Sequence, residues 1–273
     1  MLINNKIYNS RKNFDKLGIA YEKAENVIIK REVIEDINCY WFNKNESVNS
    51  KLIIYLHGGC FVFGSIQSHQ SLVSHISKHL ALPVLFIEYS LAPEKPFPFS
   101  LDDIQKVYEN IIFQYPENDI IFMGDSAGAG LAVSVLSRLN KKGNKIPSCL
   151  VLLSPWIDLS CSNNSLLINA NFDPILTKKG LEYYASLYVK EHNLSEVNPI
   201  ENISGPFPPT LILVGSREIL LDDSKSIYYK LLGFQNKVKL SIYDNQNHVW
   251  MLENIHTKES KKTLKEIKWF IAD

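Results

Sequence analysis

From Lys51 onward, short apolar runs rich in β-branched and aromatic residues alternate with stretches of helical periodicity, the pattern of βαβ units that feed a parallel sheet. The runs are Leu52 to Leu56, Val84 to Tyr89, Ile120 to Met123, Leu150 to Leu153, Leu211 to Val214 and Leu240 to Tyr243. Each is too short for a helix and carries few polar residues, so each is predicted as a buried strand. Between them Leu72, Ile76 and Leu80 keep one helical face, and Leu101, Ile104, Tyr108, Ile111 and Tyr115 keep another. Further helices are expected to begin near Ser126, Asp222 and Thr257. Upstream, Val27 to Phe42 reads as two strands around a charged centre (Lys30, Arg31, Glu32, Glu35, Asp36), an antiparallel edge pair. Two segments escape the alternation: roughly residues 1–26, and Asp158 to about Asn202, where LLINANFDPILTKKGLEYYASLYV suggests helices with aromatic faces. They fit either a lid packed over a site or ordinary peripheral helices.

A chain of 273 residues, 45% hydrophobic, can bury one large core and a decoration, which makes a single domain over 1–273 the expectation. Lysine and arginine total 29 and so do aspartate and glutamate, so no global field attracts a polyanion, and nucleic acid is excluded as a partner on charge. The start, MLINNKIYNSRKNFDKLG, lacks the apolar stretch of an export signal, and no run approaches the roughly 18 apolar residues of a spanning helix. A cytoplasmic protein without stable membrane insertion is expected. The four cysteines (Cys39, Cys60, Cys149, Cys161) follow no metal-ligand spacing, so free thiols and no metal are expected.

Candidate chemistry centres on IIFMGDSAGAGLAV, in which Gly124, Asp125, Ser126, Ala127 and Gly128 fit the G-x-S-x-G turn between a strand and a helix. Small residues at 124, 127 and 128 allow a sharp bend that projects the Ser126 hydroxyl above the sheet. Asp125 reads as a residue that positions the turn. In LIIYLHGGCFVFGS, His57, Gly58, Gly59 and Cys60 end the first core strand. Glycines there free backbone N–H groups to meet an oxyanion, joined by the N–H of Ala127. A serine nucleophile also needs a base and an acid. Of the seven histidines, His248 in DNQNHVW follows the last strand, whereas His69, His75 and His79 share a helix pattern, His57 belongs to the glycine turn, and His192 and His256 lie in polar stretches. In LILVGSREILLDDS, Glu218 lies nearest the strand end, while Asp222 and Asp223 read as the N-cap and first turn of a helix. Phe61 and Trp156 fit either an acyl pocket or core packing.

Taken together these residues resemble the hormone-sensitive-lipase-like branch of the α/β-hydrolases, which includes bacterial acetyl esterases and carboxylesterases. The likeness extends to Tyr89-Ser90-Leu91-Ala92-Pro93-Glu94 with Phe97-Pro98 and Asp102-Asp103, to the run from Ser154 to Leu159, and to Pro208-Pro209-Thr210. The resemblance implies an α/β fold with a mostly parallel eight-stranded sheet, a helical cap from residues 1–26 and 158–202, no cofactor, and short or medium acyl esters as small-molecule substrates. It favours Gly59, Cys60 and Ala127 as oxyanion donors, with Gly58 supporting the turn, and Ser126, His248 and Glu218 as a triad. This chain departs from the family in two places. Cys60 stands where a third glycine is usual, and Glu218 where aspartate is usual, which leaves Asp222 a rival. An amidase or formamidase-type hydrolase uses the same triad, and a non-catalytic ligand-binding relative lacks the histidine that this chain has. A homodimer stays open.

Overall fold

The computed structural model describes residues 2–44, 51–116 and 119–272. Among them an eight-stranded sheet is built from β1 (Ile29–Ile34), β2 (Ile37–Phe42), β3 (Leu52–Leu56), β4 (Val84–Ile87), β5 (Ile120–Asp125), β6 (Cys149–Leu153), β7 (Thr210–Gly215) and β8 (Val238–Tyr243), in the order β1-β2-β4-β3-β5-β6-β7-β8. The six strands from β3 to β8 run parallel; β2 pairs antiparallel with both β1 and β4. All six predicted core runs are strands, and the charged centre at Glu35 and Asp36 is the hairpin turn, with both residues at positive φ. Only β1 of that pair is an edge, since β2 continues into the sheet through β4.

The period-2 alternation explains the layering. Leu52, Ile54 and Leu56 point into one apolar cluster, Ile53 and Tyr55 into the other, all fully buried. Three helices pack on the first face: α3 (Phe99–Ile111), α4 (Ala127–Lys142) and α9 (Leu221–Leu232). The second face is covered by α2 (Ile66–Leu80), α10 (Trp250–Glu253) and α11 (Lys258–Ala272). Truncating a central side chain such as Ile54 to alanine would cost about 2 to 5 kcal/mol.

The remaining helices come from the two segments outside the alternation. They are α1 (Leu2–Asp15), followed by a 3₁₀ turn at Lys16–Ile19, then α5 (Ser165–Ile168), α6 (Lys178–Val189), α7 (Leu194–Val197) and α8 (Pro199–Asn202).

Two expectations need correction. Tyr115 was placed on the α3 face, but that helix ends at Ile111, and Tyr115 is buried from the following turn against Trp41. Asp222 and Asp223 do occupy the first turn of α9, yet the N-cap is Leu220 and neither aspartate caps it. Instead Asp223 accepts from the N–H groups of Ile157 and Asp158 and from Asn163, and Asp222 accepts from the N–H of Ser165 and from Lys225. Their carboxyl oxygens hold the chain that leaves β6.

Candidate active site

Because β3, β5, β7 and β8 are parallel, their carboxyl ends share one sheet edge, where open α/β sheets hold their ligands. The chain after β5 turns at once into α4, and Ser126 at the bend has φ 52° and ψ −121°. A side-chain-bearing residue held there costs about 1 to 3 kcal/mol. Flanking bonds hold it: the Ser126 N–H donates to the Leu153 carbonyl, and its own carbonyl accepts from Trp156 and Gly130.

The Ser126 Oγ lies 2.9 Å from His248 Nε2, and His248 Nδ1 lies 2.8 Å from Glu218 Oε2. A carboxylate has no hydrogen to give, so Nδ1 carries the proton and Nε2 is left to accept from the serine hydroxyl. The other oxygen of Glu218 accepts from Ser154 Oγ at 2.7 Å and from the Gly215 N–H. Ser154 in turn accepts from the Val249 N–H at 3.1 Å, tying Glu218's partner to the residue after the imidazole. All of these side chains are buried.

Burial disfavours the imidazolium, but the bond to Glu218 and its charge outweigh that, with Asp173 and Asp125 adding, and the His248 pKa sits above its ordinary value. Burial likewise pushes the Glu218 carboxyl up, against the pull of His248, Gly215 and Ser154. Its titration therefore belongs to the pair.

The glycine turn after β3 wraps over this serine. A Cβ on Gly58 would meet Asp125 Oδ2 at 2.2 Å, so only glycine allows the turn to approach the Ser126 bend. Gly59 has φ 116°, and its carbonyl accepts from Val62 and Phe63. Among the described residues, the backbone bonds of this turn leave the N–H groups of Gly59, Cys60 and Ala127 uncommitted. Cys60 follows at φ 55°; burial, then the nearby Cys161, push its thiol up to about 12, so it stays protonated. All four cysteines are buried free thiols.

These groups open on a cavity of about 190 Å³ walled by Phe14, Leu17, Ile175, Leu176, Val249 and Leu252, with Cys60, Ser126 and His248 at its polar side. A cavity of about 460 Å³ also exists, lined by Lys51, Cys149 and Val238 at the amino ends of the strands, but it contains none of these groups. Phe61 and Trp156 do not line the active cavity. Phe61 stacks on Tyr188 at 4.1 Å and tilts against Trp156, so their role is packing. Asp125 does line it, and accepts from the Tyr55 hydroxyl at 2.8 Å with His69 beside it.

Several contributing residues went unforeseen. Arg11 of α1 donates to the carbonyls of Val62 and Ala92 and pairs with Glu94, anchoring the first segment to the glycine turn. Ser154, Asn169 and Asp173 likewise were assigned no role; for Ser154 the signals were its place just past a strand end and in the family-like run to Leu159.

A family model described as the alpha/beta hydrolase fold matches residues 53–252. The chain belongs to the α/β-hydrolase fold family. Within this family it is 34% identical to an esterase of Acinetobacter venetianus, over 83% of this chain and 76% of that protein. An acetyl-hydrolase of Streptomyces hygroscopicus is 33% identical, over 74% of this chain and 69% of its own length. Among solved structures, an esterase from the bacterial hormone-sensitive lipase family superposes with a TM-score of 0.92 at 29% identity, covering 97% of this chain and 90% of that one. EstE5 soaked with p-nitrophenyl butyrate gives 0.90 at 31%, with 97% and 90% covered. The α/β-hydrolase described here is thus an enzyme of the esterase-type, hormone-sensitive-lipase-like branch. Among its described residues no helix is long and apolar enough to cross a membrane, and no cluster of side chains could hold a metal ion.

Proposed function

We propose that this enzyme hydrolyses carboxylic esters of short to medium acyl chain through Ser126, His248 and Glu218. The observation that carries the reading is the unbroken relay from Ser126 Oγ to His248 to Glu218 at the polar side of an apolar cavity. Ser126 Oγ attacks the ester carbonyl carbon while His248 Nε2 takes its proton, and Glu218 stabilises the imidazolium. The carbonyl oxygen becomes an oxyanion that accepts from the N–H groups of Gly59, Cys60 and Ala127, with Gly58 giving the turn its close approach. The alcohol leaves with the proton from His248, and a water activated by the same nitrogen cleaves the acyl-enzyme.

Residues 1–26 and 158–202 act as the cap of a single catalytic domain, because Phe14 and Leu17 come from the first and Ile175 and Leu176 from the second. A volume of about 190 Å³ lies below the roughly 300 to 1,000 Å³ of pockets for drug-sized ligands, which favours short acyl groups.

The test is a panel of p-nitrophenyl esters of rising acyl length beside matched anilides. Turnover should peak at short chains and fall once the chain outgrows the cavity. Ser126→Ala should lose on the order of a million-fold in kcat, and an organophosphate should label Ser126 alone. Preferred cleavage of anilides, or an adduct elsewhere in intact-mass analysis, would overturn the reading.

A further inference from the structure

The segment between α5 and α6 grips the peptide that carries Glu218. Asn169 and Asp173 are both 8% exposed. The Asn169 side-chain amide donates to the carbonyl of Glu218 at 2.7 Å and to that of Ser216 at 3.1 Å. Asp173 Oδ2 accepts from the N–H of Ile219 at 3.0 Å. The peptide group that joins Glu218 to Ile219 is therefore held at its oxygen by one residue and at its nitrogen by another. Ser165 Oγ adds a third hold by donating to the Ile219 carbonyl at 2.6 Å.

The second oxygen of Asp173 faces the other way. Oδ1 accepts from the N–H groups of Ile175 and Leu176, each at 2.9 Å, and these two residues wall the cavity beside Ser126. One carboxylate thus touches the backbone of the acid and the backbone of the cavity wall. Glutamate has one more rotatable bond than aspartate, so a carboxylate presented from it needs a more firmly fixed backbone to hold the same position.

We propose that Asn169 and Asp173 are positioning residues for Glu218, and that Asp173 makes the cavity wall and the triad acid one rigid unit. The proposal rests on the reading of Glu218 as the acid. Asp173 is also one of the three carboxylates whose charge bears on His248, with Glu218 and Asp125; Glu253, exposed, lines the same cavity. It therefore acts on both the place and the protonation of the relay.

The experiment compares purified Asp173→Asn, Asn169→Ala and Glu218→Gln with the parent enzyme by kcat, KM and the pH profile of kcat/KM, with thermal melts alongside. A misplacement of the acid costs about ten- to a hundredfold in kcat, which is the loss expected for Asp173→Asn and for Asn169→Ala, with a smaller change in KM. The acidic limb should move to lower pH in Asp173→Asn, because a negative charge that favours the imidazolium is gone, and should stay in place in Asn169→Ala. A role in loop folding alone would lower the melting temperature and leave the limb of Asp173→Asn unmoved. If Asp173→Asn does not fold, Asn169→Ala carries the kcat test, and a parent-like kcat there overturns the proposal. Collapse of Glu218→Gln with parent-like kcat and pH limb in the other two would overturn the positioning role alone. Full activity in Glu218→Gln would instead remove the acid assignment beneath it.

Discussion

Glu218 takes donors from His248, Ser154 and Gly215, so that both of its buried oxygens are bonded, whereas Asp222 points to Ser165 and Lys225. Substitution should separate the two. Glu218→Gln keeps the shape but removes the charge that stabilises the imidazolium, and kcat under saturating ester should fall by roughly a thousandfold or more. Asp222→Asn should keep most of the parent activity; a crippled Asp222→Asn beside an active Glu218→Gln would exchange the assignments. The pH profile follows from His248, which must be neutral to accept the serine proton. Its raised pKa means that it stays charged to a higher pH than a free imidazole, so kcat/KM should rise through a limb centred above about 6.5. A limb at or below that value, with chemistry rate-limiting, would mean that burial rather than Glu218 controls the ring. Their places were legible in the sequence because Ser126 directly follows β5 while Glu218 and His248 sit in the loops after β7 and β8, and a parallel sheet gives every such strand end the same address. The carboxylates of Asp222 and Asp223 misled as caps because helix-start composition does not say whether an oxygen turns to its own helix or to a neighbour.

The strands were readable because burial on both faces removes nearly every polar residue from them, as in β5 and β6, where every residue is buried. The helices α5, α7, α8 and α10 were not, since each has four residues and no room for a 3.6-residue period to repeat. Side chains bonding backbone hold that region instead. Asn198 accepts from the Leu159 N–H and donates to Asp158, and Asp223 takes the N–H groups of Ile157 and Asp158. Asp223 gives this element a pH signature, because burial pushes its carboxyl up to about 7 despite those two donors and the Asn163 amide. The folded pKa is above the unfolded value of about 3.9, so the stability it contributes is fully present below that value and is lost as pH rises through about 7. Asp223→Asn cannot ionise. Melts across pH 5 to 8 should show the variant gaining on the parent as pH rises, by an amount of order a few kcal/mol at most. A constant difference across that range would show that Asp223 is ionised throughout.

At the scale of the molecule, the family resemblance implied a mostly parallel eight-stranded sheet and a cap from the first segment, but neither the strand order nor the contacts that fix that segment. Arg11 reaches Val62, Ala92 and Glu94 across 51 to 83 residues of sequence, a contact that no local pattern encodes. Its ion pair with Glu94 is half exposed and worth little on its own; the two carbonyl bonds, made where α1 crosses the glycine turn, do more to fix Phe14 over the cavity. The chain as a whole carries equal numbers of positive and negative groups, and beside Ser126 the carboxylates of Asp125 and Glu218 are buried against Tyr55, His69, Ser154 and His248, while Glu253 at the cavity is exposed. A neutral ester arriving at such a molecule meets no long-range field to guide it. Raising sodium chloride from about 0.01 to about 1 M shrinks the Debye length from about 30 to about 3 Å, which abolishes steering wherever it exists. For p-nitrophenyl acetate kcat/KM should stay nearly constant over that range, and for an ester with an anionic acyl group the change should remain well short of the tenfold or more that electrostatic focusing gives. A steep fall for the anionic ester alone would locate a positive field at the cavity mouth that the overall charge balance conceals, and substitution of lysines close in sequence to the cavity wall, Lys16 beside Leu17 and Lys178 just past Leu176, would be the way to trace it.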